Sequence, residues 1–85
     1  MPPVRIYTTR VCPYCFAAKD LLDSKGVAYE EIDVTGDPET RMWLRKATGQ
    51  RTVPQVFIGE RACGGFTDLR ALDQRGELDR LLAAE

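Results

Sequence analysis

Two cysteines, Cys12 and Cys15, are separated by Pro13 and Tyr14 at the start of a segment with helical spacing of apolar residues. The unpaired amide groups at the N-terminus of a helix, and the positive end of its dipole, favour an anion. We therefore expect them to lower the pKa of Cys12 and to supply a thiolate at neutral pH. Cys15 lies nearly one turn further on, so its sulfur can reach that of Cys12 with little backbone movement. The spacing predicts thiol-disulfide exchange, with Cys12 as the attacking thiolate and Cys15 as the less exposed resolving thiol.

Two other interpretations of this cysteine pair are half of a zinc site and a coincidental pair of buried cysteines. The chain contains three cysteines and no histidine, which is too few ligands for a tetrahedral zinc site of the usual kinds. An odd, small number of cysteines also argues against a structural disulfide framework. A strand, a loop and a helix that begins with proline are the context that a redox motif requires. We therefore favour redox chemistry and expect no metal site.

A second motif consists of Thr52, Val53 and Pro54, directly before a predicted strand. Proline cannot serve as an ordinary central-strand residue, so it marks the entrance to the strand. A trans bond is the ordinary alternative for this position. A cis bond before Pro54 would turn the Val53 backbone towards the dithiol and offer its N–H and C=O as an edge for an extended thiol peptide.

A third motif places Gly64 and Gly65 before a helix for which Thr67 is the predicted N-cap. Glycines that lead into a capped helix commonly hold an anionic group against free backbone amides. The same residues are also typical of an ordinary tight turn, so this motif alone leaves both interpretations open.

Hydrophobic periodicity predicts the strands and helices that position these motifs. We expect strands at residues 4–7, 27–33, 55–58 and 61–63, and helices from residue 13 to a stop at Gly26 and at residues 38–48, 68–75 and 77–83. The predicted order is βαβαββα, an α/β thioredoxin-like fold with a four-stranded mixed sheet and flanking helices. The first two strands are expected to be parallel through a right-handed crossover, and the last two to form a hairpin. In the last helix we expect Leu78, Leu81 and Leu82 on the buried side. In the helix at residues 38–48 we expect Met42, Trp43 and Ala47 on or near the buried side.

The composition bounds the possible functions. A chain of 85 residues allows one small domain, residues 1–85, with no room for a second catalytic domain. Twelve basic and thirteen acidic residues give a net charge of −1 without a basic run, which argues against nucleic-acid or membrane partners. No apolar stretch has the length of a signal peptide or a membrane span, so we expect a cytoplasmic protein.

Taken together, the motifs resemble the dithiol glutaredoxins of the small bacterial type, and the resemblance runs the length of the chain. The residues that carry it are Tyr7-Thr8, Cys12-Pro13-Tyr14-Cys15, Thr52-Val53-Pro54 and Gly64-Gly65 with Asp68. In the proteins of this family the bond before the equivalent of Pro54 is cis.

The resemblance implies glutathione as a cosubstrate, with no tightly bound cofactor. In this family Tyr14 would flank the glutathione sulfur, Thr52 and Val53 would pair with its cysteinyl backbone, and Arg41 would meet its glycyl carboxylate. A solvated surface arginine is the alternative for Arg41. The complete set of implied glutathione-binding residues is Arg10, Tyr14, Arg41, Thr52, Val53, Pro54, Gly65, Phe66, Thr67 and Asp68, of which residues 65–68 would hold the γ-glutamyl end.

The implied enzyme is a glutathione-disulfide oxidoreductase that supports cell redox homeostasis and donates electrons to cytosolic reductases. Glutathionylated proteins would be reduced by Cys12 alone, and protein disulfides by Cys12 with Cys15. We expect a monomer that receives electrons from glutathione, and indirectly from glutathione reductase. One alternative is a carrier of a glutathione-ligated iron-sulfur cluster, against which Pro13 argues. Another is a redoxin reduced by thioredoxin reductase.

The sequence departs from the family pattern at several positions. Thr9 stands where the family usually has a lysine, with Arg10 beside it as a possible replacement for the charge. Cys63 replaces a branched aliphatic residue, and Phe66 occupies a position where many members keep an additional cysteine. We interpret Cys63 mainly as a small core residue and keep a regulatory thiol as the alternative.

Overall fold

The computed structural model describes residues 2–84, which form one four-stranded sheet and four helices. The elements in chain order are β1 (Val4–Thr8), α1 (Pro13–Ser24), β2 (Glu30–Asp33), α2 (Pro38–Thr48), β3 (Gln55–Ile58), β4 (Arg61–Gly64), α3 (Phe66–Gln74) and α4 (Glu77–Ala83). The strands lie side by side in the order β2-β1-β3-β4. β1 is parallel to β2 and antiparallel to β3, and β3 and β4 form an antiparallel hairpin. The predicted thioredoxin-like fold with a mixed sheet is therefore confirmed.

The first two helices begin and end where local chemistry places their boundaries. Pro13 is the first residue of α1, where no intrahelical hydrogen bond would use its missing N–H. In α2 the Asp37 carboxylate caps the N-terminus by accepting a hydrogen bond of 3.1 Å from the Thr40 N–H. Gly49 ends α2 in the left-handed region at φ 74°, a conformation that glycine adopts without steric cost. Both helices begin at the predicted residues.

The two faces of the sheet carry separate hydrophobic clusters. Successive strand residues point to opposite faces, so Val4 and Ile6 belong to one cluster and Tyr7 to the other. The larger cluster packs the sheet against α1, α3 and α4 through Ala18, Leu22, Leu69, Leu72, Leu78 and Leu82. The smaller cluster joins Tyr7, Val34, Leu44 and Phe57 under α2.

The predicted buried side of α2 is wrong. Leu44 is the buried residue of this helix, whereas Met42 is 59 % exposed, Trp43 is 45 % exposed and Ala47 is also exposed. The aromatic rings of the sheet explain the difference, because they already fill the space beneath the helix. The Trp43 ring lies beside them, with its centroid 5.7 Å from that of Tyr7 and 5.8 Å from that of Phe57.

The structure also corrects the starts of two elements. β2 begins at Glu30, the partner of Arg5 in β1, and not at residue 27. α3 begins at Phe66 with Gly65 as its N-cap, so the predicted N-cap, Thr67, lies inside the first turn. The cause is the carboxylate three residues after Gly65, described below. Gly76, at φ 72°, separates α3 from α4, at the gap between the predicted helical segments 68–75 and 77–83, which the order βαβαββα counts as one helix.

As predicted, Leu78 and Leu82 of α4 are buried in the larger cluster, and Leu81 packs against it while partly exposed. Among residues 2–84, none of the helices combines the length and apolar character needed to cross a lipid bilayer.

Candidate active site

Cys12 and Cys15 form a disulfide at the N-terminal end of α1, with their Cα atoms 5.1 Å apart. Cys12 is the N-cap of the helix, and its sulfur accepts a hydrogen bond of 3.1 Å from the Cys15 N–H. Cys12 retains 7 % of its surface exposed and Cys15 retains 2 %. Cys12 is therefore the more accessible of the two sulfur-bearing residues, and a backbone N–H is already directed at its sulfur.

The segment before β3 also approaches the Cys12 sulfur. The bond between Val53 and Pro54 is cis, which confirms the conformation implied by the family resemblance. The carbonyl oxygen of Val53 lies 3.7 Å from the Cys12 Sγ. The backbone at Val53 thus forms one border of the site.

A groove of about 350 Å³ adjoins the dithiol. It brings together the predicted glutathione-binding residues with the exceptions of Arg10 and Arg41, and it includes one residue that we did not predict, Gln50. The lining residues are Tyr14, Gln50, Thr52, Val53, Pro54, Gly65, Phe66, Thr67 and Asp68. Residues from the first helix, the segment before β3 and the start of α3 therefore converge on one concave surface.

Two stacked aromatic rings form one wall of this groove. The ring centroids of Tyr14 and Phe66 are 6.3 Å apart, with an interplanar angle of 29°. Tyr14 is 65 % exposed, whereas Phe66 is partly buried and packs against the larger hydrophobic cluster. Phe66 therefore connects the exposed ring beside the dithiol to the core of the protein.

The turn into α3 forms a second wall, next to Phe66. The Asp68 carboxylate accepts a hydrogen bond of 3.1 Å from the Gly65 N–H, which makes Gly65 the residue that begins the helix. Gly64 adopts φ 84°, and a Cβ atom at that position would overlap the Asp68 carboxylate, whose Cγ would be 2.8 Å away. The first amide groups of α3 have no intrahelical partners. The wall therefore presents both a carboxylate and free N–H donors to the groove.

Arg10 and Arg41 lie outside the groove. The Arg10 side chain is 76 % exposed, and its Nε atom is 3.8 Å from the Asp33 Oδ2 atom at the end of β2. Hydrogen bonds from Thr35, together with the nearby Arg10 charge, hold the pKa of Asp33 below its usual value. Arg41 lines a separate surface depression, and its Nη2 atom is 3.5 Å from the carbonyl oxygen of Arg51. The charge of Arg10 is thus paired at β2, away from the groove-lining residues.

Sequence reasoning missed a pair of glutamines behind the groove. Gln55, at the start of β3, is fully buried, and its Nε2 atom donates to the Thr52 carbonyl at 3.0 Å and to the Gln50 Oε1 at 2.8 Å. These bonds fix the backbone before the cis bond and orient the Gln50 side chain that lines the groove. The available signal was a polar residue at the start of a strand that is otherwise apolar, since such a residue needs hydrogen-bond partners when buried.

Thr8, at the end of β1, anchors the elements next to the dithiol. Its side chain is 1 % exposed and donates a hydrogen bond of 2.8 Å to the Glu31 carboxylate of β2. The Lys19 ammonium of α1 lies 3.0 Å from the same carboxylate. Lys19 first, and Thr8 second, lower the pKa of Glu31 below its usual value. This network links the dithiol helix to the first two strands.

Comparisons with known proteins agree with this geometry. The family model described as Glutaredoxin matches residues 4–62. A protein named Glutaredoxin from Pseudomonas aeruginosa is 55 % identical over 84 residues, which are 99 % of this chain and all of that protein. Glutaredoxin 3 from Escherichia coli is 50 % identical over 82 residues, 96 % of this chain and 99 % of that protein.

Solved structures give the same result. A structure of a buckwheat glutaredoxin-glutathione complex has a TM-score of 0.90 and 32 % identity, and the match covers 95 % of this chain and 76 % of that one. The solution structure of a glutaredoxin from Brucella melitensis has a TM-score of 0.87 and 48 % identity, covering 96 % of this chain and 89 % of that one. The redox-active cysteine pair, the sheet topology and these similarities lead to one conclusion: the chain belongs to the glutaredoxin family and is a thiol-disulfide oxidoreductase.

Proposed function

We propose that this enzyme uses glutathione as its reductant, and that it reduces both glutathione-protein mixed disulfides and protein disulfides. The observation that carries the proposal is the groove beside Cys12, because it combines a backbone edge at Val53 with the polar turn at Asp68. A similar protein from buckwheat has been solved as a complex with glutathione. The peptide-like shape and separated charges of glutathione suit these two walls.

The groove supports a definite orientation of the glutathionyl group. The cysteinyl part would lie extended along the backbone of Thr52 and Val53, with its sulfur next to Cys12 and flanked by Tyr14. The γ-glutamyl end carries an ammonium and a carboxylate. The ammonium would pair with the Asp68 carboxylate, and the carboxylate would bind the free amides at residues 66–68, next to the Gly65 amide that Asp68 already holds.

Arg41 would then meet the glycyl carboxylate from outside the groove, because the depression that it lines includes Arg51, the residue before Thr52. We assign no contact with glutathione to Arg10, whose guanidinium lies beside Asp33.

In the monothiol route, the Cys12 thiolate attacks the glutathionyl sulfur of a mixed disulfide. The original S–S bond breaks, and the substrate protein leaves as a thiolate that takes up a proton. A second glutathione thiolate then attacks the glutathionyl sulfur on Cys12, which forms oxidised glutathione and restores the Cys12 thiolate. The free amide groups at the start of α1 favour the negative charge on Cys12 at both stages.

In the dithiol route, Cys12 attacks one sulfur of a protein disulfide and forms a mixed disulfide with that protein. The Cys15 thiolate then attacks the Cys12 sulfur, which releases the reduced protein and leaves the Cys12–Cys15 disulfide that this structure contains. Two glutathione molecules reduce this disulfide in turn. The low exposure of Cys15 suits a thiol that acts only on its neighbour.

We further propose that residues 1–85 act as one monomeric domain in the cytoplasm, where glutathione reductase recycles the oxidised glutathione. The packing of the elements supports the single domain. Every described element contributes to one sheet or packs against it. A reducing compartment also keeps the dithiol available for electron donation to cytosolic reductases and for redox homeostasis.

The decisive experiment measures turnover of a small glutathione mixed disulfide with glutathione and glutathione reductase, for the wild type and for Cys15→Ser. We expect the variant to retain this activity and to lose reduction of a protein disulfide. If Cys15→Ser loses both activities, the proposed division between the two thiols is wrong. If the wild type turns over with thioredoxin reductase but not with glutathione, the choice of reductant is wrong.

A further inference from the structure

Three arginines and an exposed methionine surround a surface depression of about 250 Å³ on the side of α2. We call this surface the arginine patch, and it consists of Arg41, Met42, Arg45 and Arg51. Arg41 and Arg45 are one helical turn apart, so their side chains emerge on the same face of α2. Arg51 reaches the depression from the loop that follows the helix. All four side chains are exposed.

The charges of the arginine patch have no acidic partner among the described residues. Within residues 2–84, neither Arg41, Arg45 nor Arg51 is within ion-pair distance of a carboxylate. By contrast, Lys19 and Lys25 each pair with acidic side chains. The chain as a whole has a net charge of −1, so the positive charge of the patch is a local excess. Like charges in one depression repel each other, and a negatively charged partner would relieve that repulsion.

The arginine patch is continuous along the chain with the groove beside the dithiol. Arg51 is directly followed by Thr52, which lines the groove beside the dithiol. The groove of about 350 Å³ accommodates the residues around one disulfide, so the rest of a protein substrate has to lie on the adjoining surface. The residues that flank the reacting cysteine are then close to the arginine patch.

The number of guanidinium groups and the exposed methionine indicate what kind of partner the arginine patch would bind. A single carboxylate is satisfied by one bidentate guanidinium, so three guanidiniums exceed what one terminal carboxylate needs. Arginine and methionine are both enriched at protein interfaces, where they combine charge with adaptable apolar contact. We propose that the arginine patch docks an acidic segment of the substrate protein, next to its reacting cysteine. This proposal rests on the proposed function and adds a substrate class to it.

The test uses two synthetic peptides of equal length, each glutathionylated on a single cysteine. One peptide carries Asp and Glu around the cysteine, and the other carries Asn and Gln at the same positions. The variant is Arg45→Glu with Arg51→Glu, and the matched control is Arg70→Glu with Arg80→Glu, which changes the net charge equally. Arg70 and Arg80 are exposed, lie on α3 and α4, and form no ion pair with another described residue.

At low ionic strength we expect the patch variant to lower kcat/KM for the acidic peptide by about tenfold relative to wild type. The neutral peptide and a small glutathione mixed disulfide should show a smaller loss, equal for the two, since the new carboxylates also repel the glycyl carboxylate that we assign to Arg41. High salt should remove the difference between the two peptides because exposed charges are screened. Equal losses on both peptides, or an equal loss in the control variant, would overturn the docking proposal. If wild type reduces the small mixed disulfide but treats both peptides alike, docking fails while the proposed function stands. If wild type reduces none of the three substrates, both proposals fail.

Discussion

The protein holds its cysteines in two regions that are about equally buried and chemically different. Cys12, at the N-terminus of α1, is 7 % exposed, and Cys63, in β4, is 6 % exposed. The Cys12 sulfur accepts a hydrogen bond from a backbone N–H at 3.1 Å, whereas the Cys63 sulfur lies 3.8 Å from a carbonyl oxygen, that of Arg61. Burial raises the pKa of the Cys63 thiol, because the apolar core disfavours its thiolate. Burial alone therefore does not decide which cysteine reacts; the donors around the sulfur do.

The largest effect should come from exchanging each sulfur for oxygen. Cys12→Ser should lower turnover of a glutathione mixed disulfide by about a thousandfold or more, since serine supplies no thiolate and forms no disulfide. Cys63→Ser should keep turnover within about twofold of wild type, because Cys63 is not among the residues that line the groove. A coupled assay with glutathione reductase measures both. A comparable loss in the two variants would show that the two regions act together.

Alkylation of the reduced wild-type protein compares the two thiols directly. At pH 7 we expect Cys12 to react with iodoacetamide at least about a hundredfold faster than Cys63. Below its raised pKa, Cys63 should react about tenfold faster for each unit of added pH, as its thiolate fraction grows. Mass spectrometry of samples quenched over time gives both rates. Equal rates at neutral pH would mean that the core does not suppress the Cys63 thiolate.

Gly64 joins the two regions, because it follows Cys63 in β4 and its backbone faces the carboxylate that shapes the groove. Gly64→Ala should lower the free energy of unfolding by about 2–4 kcal/mol, through its positive φ and the overlap with Asp68. Gly76→Ala is the matched control, since that glycine also has a positive φ but no atom near the added Cβ, and it should cost about 1 kcal/mol. Urea unfolding measures both. Equal costs would show that Asp68 moves away freely.

Gly64→Ala should also raise KM for a glutathione mixed disulfide, whereas Gly76→Ala should leave this KM unchanged. The Asp68 carboxylate holds the Gly65 N–H and lines the groove, so displacing it changes the wall that we assign to the γ-glutamyl end. An unchanged KM in a folded Gly64→Ala protein would remove Asp68 from the proposed binding site.

Prediction from the sequence was most accurate where a local signal determines where a helix begins and ends. α2 occupies the predicted residues because Asp37 caps its start and Gly49 permits a left-handed stop. The groove could be predicted because each of its segments carries a recognisable motif. Prediction failed where contacts with residues distant in the sequence determine which side chains are buried. Trp43 has helical spacing with other apolar residues, but the rings of Tyr7 and Phe57 already lie under α2. The Trp43 ring therefore lies beside them and stays partly exposed.

The same distinction applies to the polar residues of the site. Thr67 is a good N-cap by type, yet the Asp68 side chain reaches back to Gly65 and begins the helix earlier. Gln50 carries no motif at all, and it enters the groove because buried Gln55 holds it there. Such roles depend on which side chains meet after folding, and spacing along the chain does not encode them.

Cys63→Val should have the smallest effect, and it tests the core side of the comparison. Valine has a similar volume and no polar atom, so the free energy of unfolding at pH 7 should stay within about 1 kcal/mol of wild type. Above about pH 8.5, the ordinary thiol value, Cys63 loses its proton in the unfolded chain but keeps it in the folded one, because its folded pKa is raised. Wild-type stability should therefore fall with rising pH, relative to Cys63→Val.

Urea unfolding of both proteins at neutral and alkaline pH, with the Cys12–Cys15 disulfide intact, measures this difference. Tyr29 also has a pKa raised by burial, but it is present in both proteins and cancels from the comparison. A constant difference between the two proteins at all pH values would mean that the Cys63 thiol ionises as easily in the core as in water. In that case burial would not explain a low reactivity of the Cys63 thiol, and the alternative of a regulatory thiol would be favoured.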